Sequence, residues 1–298
     1  MTAQFAPSTL PVVVGVDGSD SARRALVWAT GEARRRKVGL HLVTAFAWAA
    51  PHGRTGLSER YRTELMDRAG RQVLAEAVAA AKEVAPGLEM TSELVVGPPV
   101  AVLGEQARHA QLLVVGSRGL GGVTGLLLGS VAVALAAHAS CPMVVVRGED
   151  RPDAADLPVG IGVDGSPTSE AALAFAFEAA AARGVGLVAV HTWADVEFRP
   201  GMAPLVDWSS IAEDEEVVLA ERLAGWSTKY PDVPVRRVVQ RDGAATALVE
   251  LSRDAQLVVV GSRGRGQLSG LLLGSVSHGV LHRSHCPVAV VRPDTATG

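Results

Sequence analysis

Two stretches of this 298-residue chain have the residue types and spacing to hold an anionic group. One is GSRGLGGVTGLLLGS at 116–130, the other GSRGRGQLSGLLLGS at 261–275. Each follows an apolar run, LLVV at 112–115 and LVVV at 257–260, that reads as a buried strand. Each ends in Gly-Ser followed by apolar residues at helical spacing, so Ser130 and Ser275 are expected to cap helix N-termini. At such a junction free backbone N–H groups and the positive end of the helix dipole converge, and glycine lets a ligand come close. The pattern is that of a nucleotide-phosphate cradle. Neither loop has a lysine, so neither is a P-loop; the cations are Arg118 in one, Arg263 and Arg265 in the other. Neither carries a histidine or glutamate to position an attacking water, which favours holding phosphate over cleaving it. Asp17 and Asp164 end earlier strands beside the loops. There a carboxylate can meet Mg²⁺ or a ribose hydroxyl, or simply bond the backbone of its own Asp-Gly-Ser turn.

The elements that position these residues are themselves repeated. VGVDGS at 14–19 returns as IGVDGS at 161–166, and CPMVVVR at 141–147 as CPVAVVR at 286–292. Fifteen of twenty positions are identical between 112–131 and 257–276. A whole domain is duplicated, giving domains at 1–147 and 159–298 joined by a charged, proline-bearing linker at 148–158. In the first half, strands are expected at 12–16, 40–46, 90–96, 112–115 and 142–146. Helices are expected from Ser19 to about residue 37, over 58–84 with Leu65, Ala69, Val73 and Ala77 inward, after Pro98-Pro99, and at 130–139. The second half repeats this, with Ser166-Pro167 a strong helix start and Leu219, Leu223 and Trp226 on a core face. Apolar strands alternating with helices indicate an α/β fold of two tandem doubly wound domains. Each is a parallel sheet with helices on both faces, and a ligand belongs at the carboxyl ends of its strands.

Composition narrows the class. The chain is 48% hydrophobic and only 4% aromatic, with net charge −3, so it offers no electrostatic case for binding nucleic acid or an anionic membrane. No apolar run approaches the ~18 residues of a membrane span, and the first residues lack the marks of a signal peptide, which points to the cytoplasm. Cys141 and Cys286 precede prolines at matching positions and read as small buried hydrophobes. His278, His282 and His285 form a helical stripe whose first-half counterparts are Val133, Ala137 and Ser140, so a surface stripe is favoured over a metal site. The acidic run at 213–216 reads as a solvated helix face. Trp48 and Trp193 follow the second strands and border either a base pocket or the core rim.

The Val-Gly-Val-Asp-Gly-Ser start, the Gly-x-x-Gly-(nine)-Gly-Ser loop and the Cys-Pro-Val-x-Val-Val-Arg ending resemble the universal stress protein family, in its tandem actinobacterial form. The resemblance spans almost the whole chain and implies five-stranded, adenine nucleotide alpha hydrolase-like domains that bind ATP, with Mg²⁺, in stress responses. Its phosphate and ribose contacts would be Gly116, Ser117, Arg118, Gly119, Gly129, Ser130 and Val131, and Gly261, Ser262, Arg263, Gly264, Gly274, Ser275 and Val276. Gly15, Asp17, Gly162 and Asp164 match the first-strand contacts, the two aspartates being the Mg²⁺ candidates. Adenine would rest near Ala45 and His191, with Asp195 nearby. The family often has a second hydroxyl after Gly-Ser-Val; Ser277 supplies it in the second half, whereas the first has Ala132. On that reading the second site binds ATP more tightly. The resemblance also implies an intramolecular pseudo-dimer of the two halves, room for a homodimer, and a regulatory protein partner. The alternative function is a slow ATPase or nucleotide-dependent transferase, distinguished by a base or nucleophile near the cradle, for which the sequence offers no convincing candidate.

Overall fold

A computed structural model describes residues 9–46, 59–120, 128–148, 152–193, 208–264 and 273–293. They fall into two units, Met1–Arg147 and Gly148–Gly298. Trp48, Asp195 and Arg265 lie outside the described residues.

In the first unit the described elements are β1 (Val12–Gly15), α1 (Asp20–Arg36), β2 (Leu40–Phe46), α2 (Glu59–Val84) and β3 (Met90–Val96), then α3 (Pro99–Gln106), β4 (Leu112–Gly116), α4 (Ser130–His138) and β5 (Met143–Val146). All strand pairings are parallel, in the order β3-β2-β1-β4-β5. The chain moves outward from β1 to β3, then crosses back to β4 and β5. Right-handed crossovers on the two legs place helices on opposite faces. Accordingly α1 packs with α2, and α3 with α4. The reversal falls between β1 and β4, so their carboxyl ends flank a crevice, the usual place for a ligand in such a sheet.

The central strands are covered on both sides: Val12, Val13 and Val14 are buried, as are Leu112, Leu113 and Val114. This explains their unbroken apolar runs. Helix α1 buries Ala22, Ala25, Leu26 and Ala29 and ends where Lys37 adopts a left-handed conformation, φ 57°. Helix α2 departs from expectation. Its buried face is Gly70, Leu74, Ala77 and Ala81, whereas Leu65 and Ala69 are exposed. A pure i, i+4 stripe drifts around a helix of 3.6 residues per turn; the observed 4-3-4 spacing stays on one face. A Cβ at Gly70 would stand 2.5 Å from Leu94 Cδ1, so the small residue lets α2 settle on β3.

The second unit repeats the plan: β6 (Val159–Gly162), α5 (Pro167–Arg183), β7 (Leu187–Thr192), α6 (Trp208–Lys229), β8 (Val235–Gln240), then α7 (Ala244–Leu251), β9 (Leu257–Gly261), α8 (Ser275–Arg283) and β10 (Val288–Val291). Its parallel order is β10-β9-β6-β7-β8. A 3-10 turn at Pro152–Asp156 precedes β6, and the Gln256 amide donates to the carbonyls of Ala155 and Leu157 at 3.0 and 2.6 Å. Leu219 and Leu223 are buried on α6, and Trp226 stacks on Phe177 at 5.9 Å. Both cysteines are buried, and burial pushes the Cys141 thiol up to about 12, that of an inert packing group. No helix among the described residues is long and apolar enough to cross a membrane.

Candidate functional site

The crevice of the first unit is built from the turn that leaves β1. Asp17 Oδ1 accepts the Ser19 N–H at 3.0 Å, closing an Asp-Gly-Ser turn in which Gly18 takes φ 86°, a conformation suited to glycine. Ser19 then caps α1, its Oγ accepting from the Ala22 N–H at 3.1 Å. The other oxygen of Asp17 reaches across the crevice and accepts the Leu120 N–H at 3.0 Å. One carboxylate therefore ties the strand turn to the glycine loop.

Further bonds complete the strap. Ser21 Oγ accepts the Arg118 N–H at 3.2 Å and lies 3.4 Å from Ser117 Oγ, while Ser19 Oγ donates to the Arg118 carbonyl at 3.4 Å. The spacing of the loop's second glycine now has a cause. A Cβ at Gly119 would lie 2.6 Å from Asp17 Oδ2, which would displace the carboxylate from its bond to the loop. The second unit has the same constraint, with a Cβ at Gly264 falling 2.6 Å from Asp164 Oδ2. Gly15 and Gly162 answer to packing as well as to the crevice, since a Cβ there would press on Leu103 at 2.9 Å and on Leu248 at 2.8 Å.

The far end of the loop folds back: the Gly129 N–H donates to the Ser117 carbonyl at 2.8 Å. Here the expected caps need correcting. Ser130 and Ser275 are the first helical residues of α4 and α8; the cap positions are Gly129 and Gly274, with no side-chain cap bond. Glycine has no side chain to fold over the helix end, so the cap residue itself leaves the first-turn N–H groups uncovered, unlike Ser19 at α1.

These parts surround a cleft of about 730 Å³. Its lining includes Gly15, Asp17, Ala45 and Phe46, then 116–119 of the loop and 129–131 at the α4 N-terminus, so the sequence-picked residues of this half converge. Met66, Leu103 and Leu128 add apolar walls that the motif did not indicate. Asp17 and Arg118 are the ionisable residues among this described lining. Ser21 was also missed, although a hydroxyl recurs at its matching position, Thr168.

In the second unit Asp164 Oδ1 accepts the Ser166 N–H at 2.9 Å, Gly165 takes φ 75°, and Ser166 caps α5 through the Ser169 N–H at 3.2 Å. Thr168 Oγ1 donates to the Arg263 carbonyl at 2.5 Å, and the Gly274 N–H to the Ser262 carbonyl at 2.8 Å. Gly261 ends β9 with Ser262 just after it, and Ser275 and Val276 open α8, as their first-unit counterparts do. Ser277 is buried, with its hydroxyl 3.1 Å from the Ser262 carbonyl and 2.9 Å from the Gly274 carbonyl. Its single proton holds the loop closed.

Two polar readings change. His191 is buried, its Nδ1 2.6 Å from the Val163 carbonyl and its Nε2 2.8 Å from Glu215 Oε2. Both ring nitrogens meet protein acceptors, so this side chain braces β7 against α6. Glu215 thereby leaves the solvated face assigned to its acidic run. The His278 and His282 rings lie against each other, centroids 4.4 Å apart and tilted by 36°. Among the described residues no three His, Cys, Asp or Glu side chains converge to hold a metal ion. At Asp17 each carboxylate oxygen accepts a backbone N–H.

The universal stress protein family model matches residues 9–147 and again 158–292. The chain belongs to the universal stress protein family. It carries the domain twice, as do its mycobacterial relatives. One universal stress protein of Mycobacterium tuberculosis is 46% identical over 289 residues, covering 94% of this chain and 96% of the relative. Another from that organism is 41% identical over 295 residues, covering 96% and 97%. Among solved structures, a universal stress protein from Archaeoglobus fulgidus has the same fold, with TM-score 0.70 at 20% identity over 96% of this chain and 97% of that one.

Proposed function

We propose that each unit of this universal stress protein binds ATP, and that the chain acts as a nucleotide-dependent regulatory module. The observation that carries this reading is the glycine-capped α4 N-terminus beside the cleft at the carboxyl ends of β1 and β4. Its first-turn N–H groups and the helix dipole suit phosphate, with Arg118 at the rim. The apolar wall of Ala45, Phe46, Met66 and Leu103 suits a base. The loop spacing, which resembles the ATP-binding branch of the family, favours the triphosphate. Mg²⁺ accompanying ATP would take phosphate oxygens and water, with Asp17 and Asp164 as its nearest carboxylates.

The described lining holds no histidine, glutamate or lysine, and its one carboxylate is engaged with the loop. That favours retention of nucleotide over turnover. Occupancy would then act by stabilising the closed loop, and so the surface shown to a partner protein. The test is to denature freshly purified chain and identify released nucleotide by mass spectrometry, followed by calorimetric titration with ATP. About two ATP per chain is the expected stoichiometry. Failure of added ATP to bind overturns the reading, and rapid release of ADP and phosphate overturns the regulatory part of it.

A further inference from the structure

Burial separates the sulfur atoms of the described residues sharply. Cys141 and Cys286 are buried, Met143 is 1% exposed, and Met90 is half-buried on β3. Met66 is 41% exposed. It is also the sulfur-bearing residue in the lining of the first cleft. A thioether needs no deprotonation to react, so access decides which one meets a soluble oxidant. Among the described residues that access belongs to Met66.

Helix geometry puts it there. Met66 continues the stripe of α2 that buries Gly70, Leu74, Ala77 and Ala81. Gly70 sits against Leu94, close to the end of β3. A helix joining parallel strands runs back along the sheet, so one turn toward its N-terminus lies about 5.4 Å further toward the strands' carboxyl ends. The stripe therefore overruns the sheet at Met66, and the side chain becomes cleft wall instead of core. In the register that pairs Leu74 with Leu219 and the two glycine loops with each other, Met66 answers to Ile211. The second unit has no sulfur at this position.

We propose that Met66 is an oxidation site that controls the first cleft, its thioether taking one oxygen from hydrogen peroxide. The Sδ lone pair attacks a peroxide oxygen; the O–O bond breaks as the S–O bond forms, and the departing hydroxide is protonated to water. Sulfur loses two electrons and the peroxide gains them. A dithiol reverses the change, itself becoming a disulfide and releasing the oxygen as water. The sulfoxide puts a strongly polar S–O group into a wall otherwise made by Ala45, Phe46 and Leu103. This rests on the ATP reading above and adds regulation to it: oxidation weakens the first site and leaves the second, with isoleucine, as it was. Bound nucleotide in turn shields the sulfur.

The test treats the full chain briefly with hydrogen peroxide, with and without ATP, and follows its methionines by peptide mass mapping. Met66 should oxidise faster than Met90 and Met143, and saturating ATP should slow it. In two-site calorimetry the oxidised chain should lose about three- to tenfold in affinity at one site and nothing at the other. Methionine sulfoxide reductase with dithiothreitol should restore the loss. Met66→Leu, compared with its own untreated state, should lose nothing on treatment; it retains Met1 and Met202, so oxidation at those positions is controlled for. If Met66 resists oxidation as Met143 does, or if ATP binds both sites alike before and after Met66 is oxidised, the inference falls and the ATP reading stands. The same holds if Met66→Leu loses as much on treatment as the natural chain. If ATP binds neither site of the untreated chain, both fall.

Discussion

The two crevices share their main chain and differ in the side chains that hold it. In both, an aspartate after the first strand closes an Asp-Gly-Ser turn, a serine caps the following helix, and a glycine leaves room for the carboxylate. In both, the loop returns through a glycine N–H to a serine carbonyl at 2.8 Å. The accessory hydroxyls are rearranged. Ser21 accepts from the Arg118 N–H in the first unit, whereas Thr168 donates to the Arg263 carbonyl in the second. Ser277 ties the second loop where the first has Ala132. The difference separates what the site requires from what it tolerates. Aspartate, glycines and a bare helix end are required; the polarity and number of the surrounding bonds are free to vary.

The strongest way to break the likeness is at the glycine under the carboxylate. Gly119→Ala places a Cβ 2.6 Å from Asp17 Oδ2 and should cost the first site about a hundredfold in ATP affinity, reducing calorimetric stoichiometry from two to one. Gly264→Ala should do the same to the second site, and the double variant should bind none. Persistence of two sites in Gly119→Ala would show that the loop tolerates losing the strap.

Asp17→Asn is next. The amide keeps one acceptor oxygen but turns its NH₂ toward either the Ser19 or the Leu120 N–H, so that one of the two bonds becomes a donor facing a donor. The expected loss is about 1–3 kcal/mol in denaturant stability of the first unit and roughly tenfold in its ATP affinity. If the aspartate served mainly a metal ion, affinity measured without Mg²⁺ would be unaffected. A similar loss with and without Mg²⁺ marks it as the loop strap.

Much of this was readable beforehand because glycine and strand runs report backbone constraints directly. The repeated loop located the ends of β4 and β9, and the repeated Val-Gly-Val-Asp-Gly-Ser located the turns after β1 and β6, within a residue. What escaped detection was decided by side-chain direction. Ser130 looks like a cap in sequence, yet helical geometry begins at it, and the bare Gly129 before it is what leaves the helix end available. Glu215 looks solvated among its acidic neighbours, and only the packing of α6 on β7 brings it to His191. The burial of Gly70 in place of Ala69 likewise depends on where Leu94 stands on β3.

The smallest effect bears on whether the two sites differ in strength. The extra hydroxyl of Ser277 suggests a stronger second site if it reaches phosphate. Its position between the carbonyls of Ser262 and Gly274 commits its proton to the loop. Ser277→Ala should therefore cost about 1 kcal/mol of stability in the second unit but less than about threefold in ATP affinity, because the first unit closes the same loop around Ala132. The reciprocal Ala132→Ser should add little to either, since Ala132 is itself buried and a new hydroxyl gains only what the Gly129 and Ser117 carbonyls can accept. A tenfold or larger loss of affinity in Ser277→Ala, with stability unchanged, would move that hydroxyl from the loop to the phosphate and make the second site the stronger one for that reason. A modest loss of stability with affinity intact would leave the phosphate ends of the two sites equivalent despite the extra hydroxyl.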